Sequence, residues 1–145
     1  MFRHILLPTD GSALSQTAVK NGIRLARSLG ARTTGLFVVP QTFRLYDGGD
    51  SPMEFRERLE AHWRGLAATT LEALQAAAAA EGVASETLVA AHDQPWRAII
   101  DTAAGRGCDL ILMASHGRRG VSALLLGSET QKVLTHSTIP VLVFR

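Results

Sequence analysis

The stretch that decides the fold is "DLILMASHGRRGVSALLLGSETQ", Asp109 to Gln131. It opens with a continuous apolar run, Asp109 to Ala114, of the length of a strand buried on both faces. Glycines follow at 117, 120 and 127, and Ser128 stands directly after the last. Ser128-Glu129-Thr130-Gln131 then has the form of a capping box opening a helix to about His136. Strand, glycine-bearing loop, helix N-terminus is the punctuation of an α/β protein.

Working outward, the same alternation fills the chain. "HILLP" (4–8) reads as a first strand. Residues 12–29 repeat apolar groups at Leu14, Ala18, Leu25 and Leu29, and Gly30 caps the end. "TTGLFVV" (33–39) is the second strand, and 40–51, with Pro40, Gly48, Gly49 and Asp50, is a loop. Ser51-Pro52-Met53-Glu54 is a capping box with Pro at the first helical position. The helix it opens carries Phe55, Leu59, Trp63, Leu66, Thr70, Leu74 and Ala77 along its buried stripe and ends at Gly82. "ETLVAA" (86–91) is the third strand, and 95–105 a helix burying Ile99, Ile100 and Ala103. "PVLVF" (140–144) is the last strand.

The order is βαβαβαβαβ in one domain spanning 1–145. Strands 1, 4 and 5 are continuously apolar, as strands of a parallel sheet covered on both faces should be. Right-handed crossovers then predict a doubly wound α/β sandwich of five parallel strands in the order 3-2-1-4-5, with helices on both faces.

Composition narrows the function. Lys and Arg number 15 against 13 Asp and Glu, and no basic run exceeds Arg118-Arg119. That leaves no electrostatic footprint for nucleic acid. "GRRG" has the form of an RNA-clamping loop but follows a strand, where such a clamp joins two helices. No segment has the ~18 apolar residues of a membrane span. The short apolar run before Pro8-Thr9-Asp10 is too brief for a signal peptide. Cys108 is the only cysteine; it reads as a core residue of a cytoplasmic protein. His4, His62, His92, His116 and His136 show no metal-ligand spacing. Trp63 reads as core or interface, Trp96 as packing, and His116 as a structural or solvated residue of the loop.

In an open sheet of this order, ligands sit beyond the carboxyl ends of strands 1 and 4, where the winding reverses. Strand 1 runs into Pro8-Thr9-Asp10-Gly11-Ser12 and strand 4 into the glycine loop. Gly117 and Gly120 let a backbone approach a phosphate. Gly127-Ser128 presents free N–H groups and a helix dipole to the same space, and Arg118 or Arg119 adds charge. Two readings stay open on spacing alone: a phosphate cradle, or glycines that only turn the chain and a Ser128 that only caps a helix. Neither G-x-x-x-x-G-K-[ST] nor G-x-G-x-x-G is present.

On "ILLPTDGS", "LFVV", "CDLILMASHGRRGVSALLLGS" and "TQKVLTHSTIPVLVFR", the chain resembles the universal stress proteins over nearly its whole length. It is similar to their ATP-binding branch, whose motif is G-x2-G-x9-G-[ST]. Gly117, Gly127 and Ser128 match it, and Ala114 stands where the motif has its first Gly. The resemblance implies ATP, with Mg²⁺, as ligand. It implies Pro8, Thr9 and Asp10 beside the adenosine, the Val38 backbone on the adenine edge, and Met113 packed on the ring. Gly117, Gly127, Ser128 and the Glu129 amide would surround the phosphates. Ala114 would add a methyl beside the ribose. The Glu129 carboxylate either points away from the phosphates or meets them through Mg²⁺.

The resemblance further implies a homodimer through the last strand, Pro140 to Phe144, which would otherwise be an apolar edge. Three functions follow: an ATP-binding stress or regulatory protein, a slow ATP hydrolase or transferase, and a nucleotide-free dimeric interaction module. The first is expected. Asp10, Glu129, His116, Arg118 and Arg119 form no known catalytic constellation.

Overall fold

The computed structural model describes residues 1–41, 53–118 and 125–145. Strands β1 (His4–Pro8), β2 (Arg32–Val39), β3 (Ser85–Ala91), β4 (Leu110–Ala114) and β5 (Val141–Phe144) alternate with helices α1 (Ala13–Leu29), α2 (Met53–Ala80), α3 (Pro95–Arg106) and α4 (Ser128–His136). All the strands pair in parallel, in the order β3-β2-β1-β4-β5. This is the predicted fold, with element ends within a residue or two of expectation.

The side-chain period of two splits the central strands between two cores. Ile5, Leu7, Leu110, Leu112 and Ala114 face α1 and the last turns of α2. Leu6, Leu36, Ile111 and Met113 face α3 and α4, with Ile99, Ala103, Cys108 and Val133. β1 and β4 are buried at every position.

Helix boundaries follow local chemistry. Ser12 Oγ accepts the Ser15 N–H at the start of α1, and Gly30 ends that helix in the left-handed region at φ 64°. α3 starts on Pro95.

Three expectations need correction. The buried ridge of α2 is Ala67, Leu71, Leu74 and Ala78; Leu59, Trp63, Leu66, Thr70 and Ala77 only flank it, and Phe55 is exposed. Small residues lead because the helix lies close on the sheet: Leu74 Cδ2 stands 2.9 Å from where a Cβ on Gly35 of β2 would be. At ~1.5 Å per residue, 28 residues of helix also outrun the eight of β2, so the first turns of α2 overhang the carboxyl end of the sheet. Ile100 is likewise only partly buried in α3, where Ala98 takes the third buried place. β5, though apolar throughout, is not covered on both faces: Leu142 is 40% exposed. Most of the expected 40–51 loop, the Ser51-Pro52 half of the capping box, Arg119 and Gly120 lie outside the described residues.

Candidate functional site

The site forms where β1 and β4 end side by side, at the point where the winding reverses. β1 stops at Pro8. Thr9 is buried, its Oγ1 3.0 Å from Ser15 Oγ and accepting the Gly11 N–H at 3.2 Å. Gly11 turns at φ 79°, in the left-handed region. Asp10 Oδ1 accepts the Ser12 N–H at 2.9 Å, an Asx turn that directs the chain into α1.

The other Asp10 oxygen reaches across the crevice. Oδ2 accepts the backbone N–H of Arg118 at 2.8 Å, and Arg118 Nε–H donates to the Asp10 carbonyl at 2.9 Å. The β1 loop and the glycine loop are therefore joined. Burial pushes the Asp10 carboxyl up, but hydrogen bonds from Ser12, Arg118 and Ser15 outweigh it and hold the group below the ordinary carboxylate range. Asp10 thus carries its charge at neutral pH. A Cβ on Gly117 would run into Asp10 Oδ2, so glycine is what lets the two loops dock.

The glycine loop is pinned at its neck. Ser115 N–H donates to Phe144 O of β5 at 2.6 Å, and Gly127 N–H to Ser115 O at 2.8 Å. Thr130 Oγ1 donates to Ala114 O at 3.0 Å, fixing the first turn of α4 on the end of β4. Gly127 sits close against His116, whose Cα lies 3.1 Å from the position of a Cβ.

The N-terminus of α4 departs from expectation. Gly127, not Ser128, is the N-cap, and no side chain caps the helix. Ser128 is the first helical residue and is exposed. The expected box of Ser128 and Gln131 fails because the helix starts one residue early, which puts Ser128 inside it. Glu129 is engaged elsewhere. Its Oε2 accepts the Trp96 N–H of α3 at 2.8 Å, and its Oε1 lies 3.4 Å from Lys132 Nζ. α3 has no side-chain cap from Gln94, so α4 supplies one. The Glu129 carboxylate points away from its own helix end. The leading N–H groups of α4, without intrahelical partners, keep their positive character.

The remaining expected residues divide between wall and core. In a parallel ladder successive residues turn their N–H and C=O to opposite neighbours. Leu36 O accepts the Thr9 N–H, so Leu36 faces β1; Val39 O accepts the His92 N–H, so Val39 faces β3. Val38 therefore points its N–H and C=O toward β1, beyond the last residue of that strand, and offers a free backbone edge to the crevice. Pro8 is buried at the crevice floor. Met113 is 6% exposed in the core toward α3 and α4, in the cluster against which Val38 packs. The Ala114 methyl points into the opposite core, among Ile5, Leu7, Ala18 and Leu112. The methyl is 7% exposed there.

A second polar cluster, missed in the sequence, lies at the other end of β1. His4, 3% exposed, has Nε2 2.7 Å from Thr34 Oγ1, which donates to Glu86 Oε1 at 2.9 Å. Arg106 Nη1 pairs with Glu86 Oε2 at 3.3 Å. The Thr34 proton is committed to Glu86, so His4 donates from Nε2 and Nδ1 is a bare lone pair. That Nδ1 is buried without a hydrogen bond. Burial, with Arg32 nearby, lowers the His4 pKa against the opposing effect of Glu86, Asp109 and the Arg106 backbone. Cys108 is buried beside this cluster, and burial pushes its thiol up to about 11, so it is no nucleophile.

The fold and the site define an open α/β sheet with a glycine-lined crevice at its topological switch point. The model of the Universal stress protein family matches residues 1–145. The universal stress protein of the QAH/OAS sulfhydrylase 3′ region of Thermus aquaticus is 34% identical over 145 residues, all of both chains. The solved structure of MJ0577 of Methanocaldococcus jannaschii superposes with a TM-score of 0.82 at 26% identity, covering 99% of this chain and 95% of that one. A universal stress protein solved in complex with cAMP shares the fold at a TM-score of 0.74 and 21% identity, covering 99% and 97%. The chain belongs to the universal stress protein family.

Proposed function

We propose that this chain is an ATP-binding regulatory protein of the cytoplasm, a dimer whose bound nucleotide sets its conformation or its partners. The observation that carries the reading is the docking of two loops, through Asp10 Oδ2 and the Arg118 N–H, into one crevice with exposed backbone donors. The residues present fit a nucleotide. Gly117 and Ser128 are exposed, and the uncapped N-terminus of α4 suits an anion. The free Val38 edge offers one donor and one acceptor, the pattern an adenine edge needs. Met113, in the core beneath Val38, gives the base an apolar floor. Pro8 and Thr9 wall the adenosine side, and Asp10 orders the loop that receives it.

ATP, when bound, supplies the negative charge for which the leading amides of α4, those of Ser128 and Glu129, are available; the Gly127 N–H is held by Ser115 O. The Glu129 carboxylate, held by Trp96 and Lys132, stays out of that field. Mg²⁺ would enter with the phosphates. A nucleotide bound to the folded chain alone raises its melting temperature, by the equivalent of about 2.7 kcal/mol at a hundred times Kd. A universal stress protein of the same fold was solved with cAMP, which speaks for the capacity of the fold.

Calorimetric titration with Mg-ATP, with AMP and GTP alongside, tests this. Micromolar ATP binding that weakens as phosphates are removed supports it. No heat at several temperatures, with no ATP-dependent rise in melting temperature, overturns it.

For the dimer, β5 pairs with β4 on one side only among the described strands, and its side chains are half exposed. Such an apolar edge is stabilised by pairing with a second copy. Replacing Val141 and Val143 with Lys is expected to give monomers by light scattering; a dimer of unchanged mass would sink the idea.

A further inference from the structure

We infer that the Arg118 guanidinium makes this crevice select for the phosphate chain over the nucleoside. The inference rests on the nucleotide reading above and adds to it the residue that sets specificity.

The direction of Arg118 is fixed before any ligand arrives. Its backbone N–H is held by Asp10 Oδ2, and its side chain folds back along the crevice rim, with Nε–H on the Asp10 carbonyl. Nη2 lies 3.3 Å from the place of a Cβ on Gly11, a place also within 2.9 Å of Thr70 Oγ1 and 3.7 Å of Leu66 Cδ1 on α2. The guanidinium thus sits over the Asp10–Gly11 turn, on the side of Leu66 and Thr70 of α2.

What holds it there is neutral. The Nε–H bond goes to a carbonyl, while both Asp10 carboxylate oxygens accept backbone N–H groups, from Ser12 and Arg118. Among the described residues no carboxylate lies in salt-bridge reach of the guanidinium, and Arg118 is itself exposed. A chain of phosphates running from an adenosine at Val38 and Asp10 toward the N-terminus of α4 passes between the walls that Arg118 joins. Exchanging a bond to an uncharged carbonyl for a pair with an anionic phosphate, frequently bidentate, favours the phosphate. Adenosine offers the guanidinium nothing comparable.

The experiment is calorimetric titration of the full chain with ATP, AMP and adenosine at two salt concentrations, for wild type, Arg118→Gln, Arg118→Lys and Arg119→Gln. The expected result is that Arg118→Gln weakens ATP about 10- to 100-fold, with adenosine within about 3-fold and a shallower salt dependence of ATP binding. Arg118→Lys, which keeps the charge but not the fork, should fall between. An equal loss for ATP and adenosine means that Arg118 only braces the rim and overturns the inference. So does an unchanged ATP affinity, or an equal loss in Arg119→Gln, which would make the effect one of diffuse charge. If wild type binds none of the three, the nucleotide reading itself fails. If wild type binds and Arg118→Gln does not discriminate, only this inference fails.

Discussion

The two ends of β1 carry polar clusters built from the same materials, and they behave as opposites. At the first residue, His4, Thr34 and Glu86 bond side chain to side chain through His4 Nε2 and the Thr34 hydroxyl, with His4 and Thr34 sealed in the core. Just past the last residue, Asp10 is satisfied by backbone N–H groups from two loops, beside an exposed Gly117 and Ser128. In the lower cluster the partners fill the space. In the upper one they line it, with Gly117, Arg118 and Ser128 exposed around it. At the lower end a half-exposed carboxylate closes a threonine–histidine pair in the core; at the upper end a carboxylate joins two loops at the edge of a crevice.

That contrast can be broken. Gly117→Val would press a side chain into Asp10 Oδ2 and part the two loops. ATP affinity is expected to fall about 100-fold, about 2.7 kcal/mol, while the melting temperature moves little, since Gly117 is exposed. An unchanged affinity would mean that the docked loops are scaffold at the upper end too. Thr34→Val does the reverse. It leaves His4 Nε2 and the Glu86 carboxylate without their shared hydroxyl, at a cost of about 2 kcal/mol. At about 2–4 °C per kcal/mol, thermal melting should drop by about 4–8 °C with ATP affinity intact. A loss of nucleotide binding in Thr34→Val would show that the two ends are coupled through β1 and β2.

The upper cluster was legible because its residues are neighbours in sequence. Thr9, Asp10, Gly11 and Ser12 are consecutive, and Gly117 and Ser128 stand in one short stretch between β4 and α4. The strand order came from five apolar runs whose length and flanking glycines left little choice. The lower cluster was not legible: His4, Thr34 and Glu86 stand 30 and 52 residues apart and meet only through strand register. A polar residue at the head of a wholly apolar strand was the available signal. The direction of the Glu129 carboxylate stayed open because local spacing cannot know that Trp96, 33 residues away, needs an acceptor. Ser128 looked like an N-cap because nothing local shows that the helix starts from Gly127. The α2 stripe was misplaced because large apolar residues were given priority, whereas close approach to Gly35 favours Ala67 and Ala78.

The pH response separates the clusters further. The folded state holds His4 below its unfolded value of 6.5, chiefly through burial. The unfolded chain therefore binds the proton first, and stability falls as pH drops through and below 6.5, by at most about 1.4 kcal/mol per pH unit for one group. Asp10 and Asp109 are also lowered, but from 3.8, so what they contribute is lost only as pH falls below that value. Melting curves between pH 7 and 5 should slope in wild type and flatten in His4→Gln. An equal slope in both would place the titrating group elsewhere.

The smallest predicted effect tests the one motif position where this chain departs from its family's pattern. Ala114 lies at the carboxyl end of β4, yet its methyl is counted among the core residues facing α1, 7% exposed. The alternation of β4 requires this: Leu110, Leu112 and Ala114 share a face, and only the Ala114 carbonyl, bonded by Thr130, turns toward α4. Ala114→Gly should thus remove a buried methyl, about 0.8 kcal/mol, and add backbone entropy to the unfolded chain, about 0.5 kcal/mol or more. The melting temperature should fall by about 3–5 °C, and ATP affinity should stay within about 3-fold. A tighter ATP complex in Ala114→Gly would mean that the methyl, or the backbone it stiffens, bears on the ligand after all. An unchanged complex would mean that the first glycine of the motif can be given up for core packing, because at that position only the backbone meets the site.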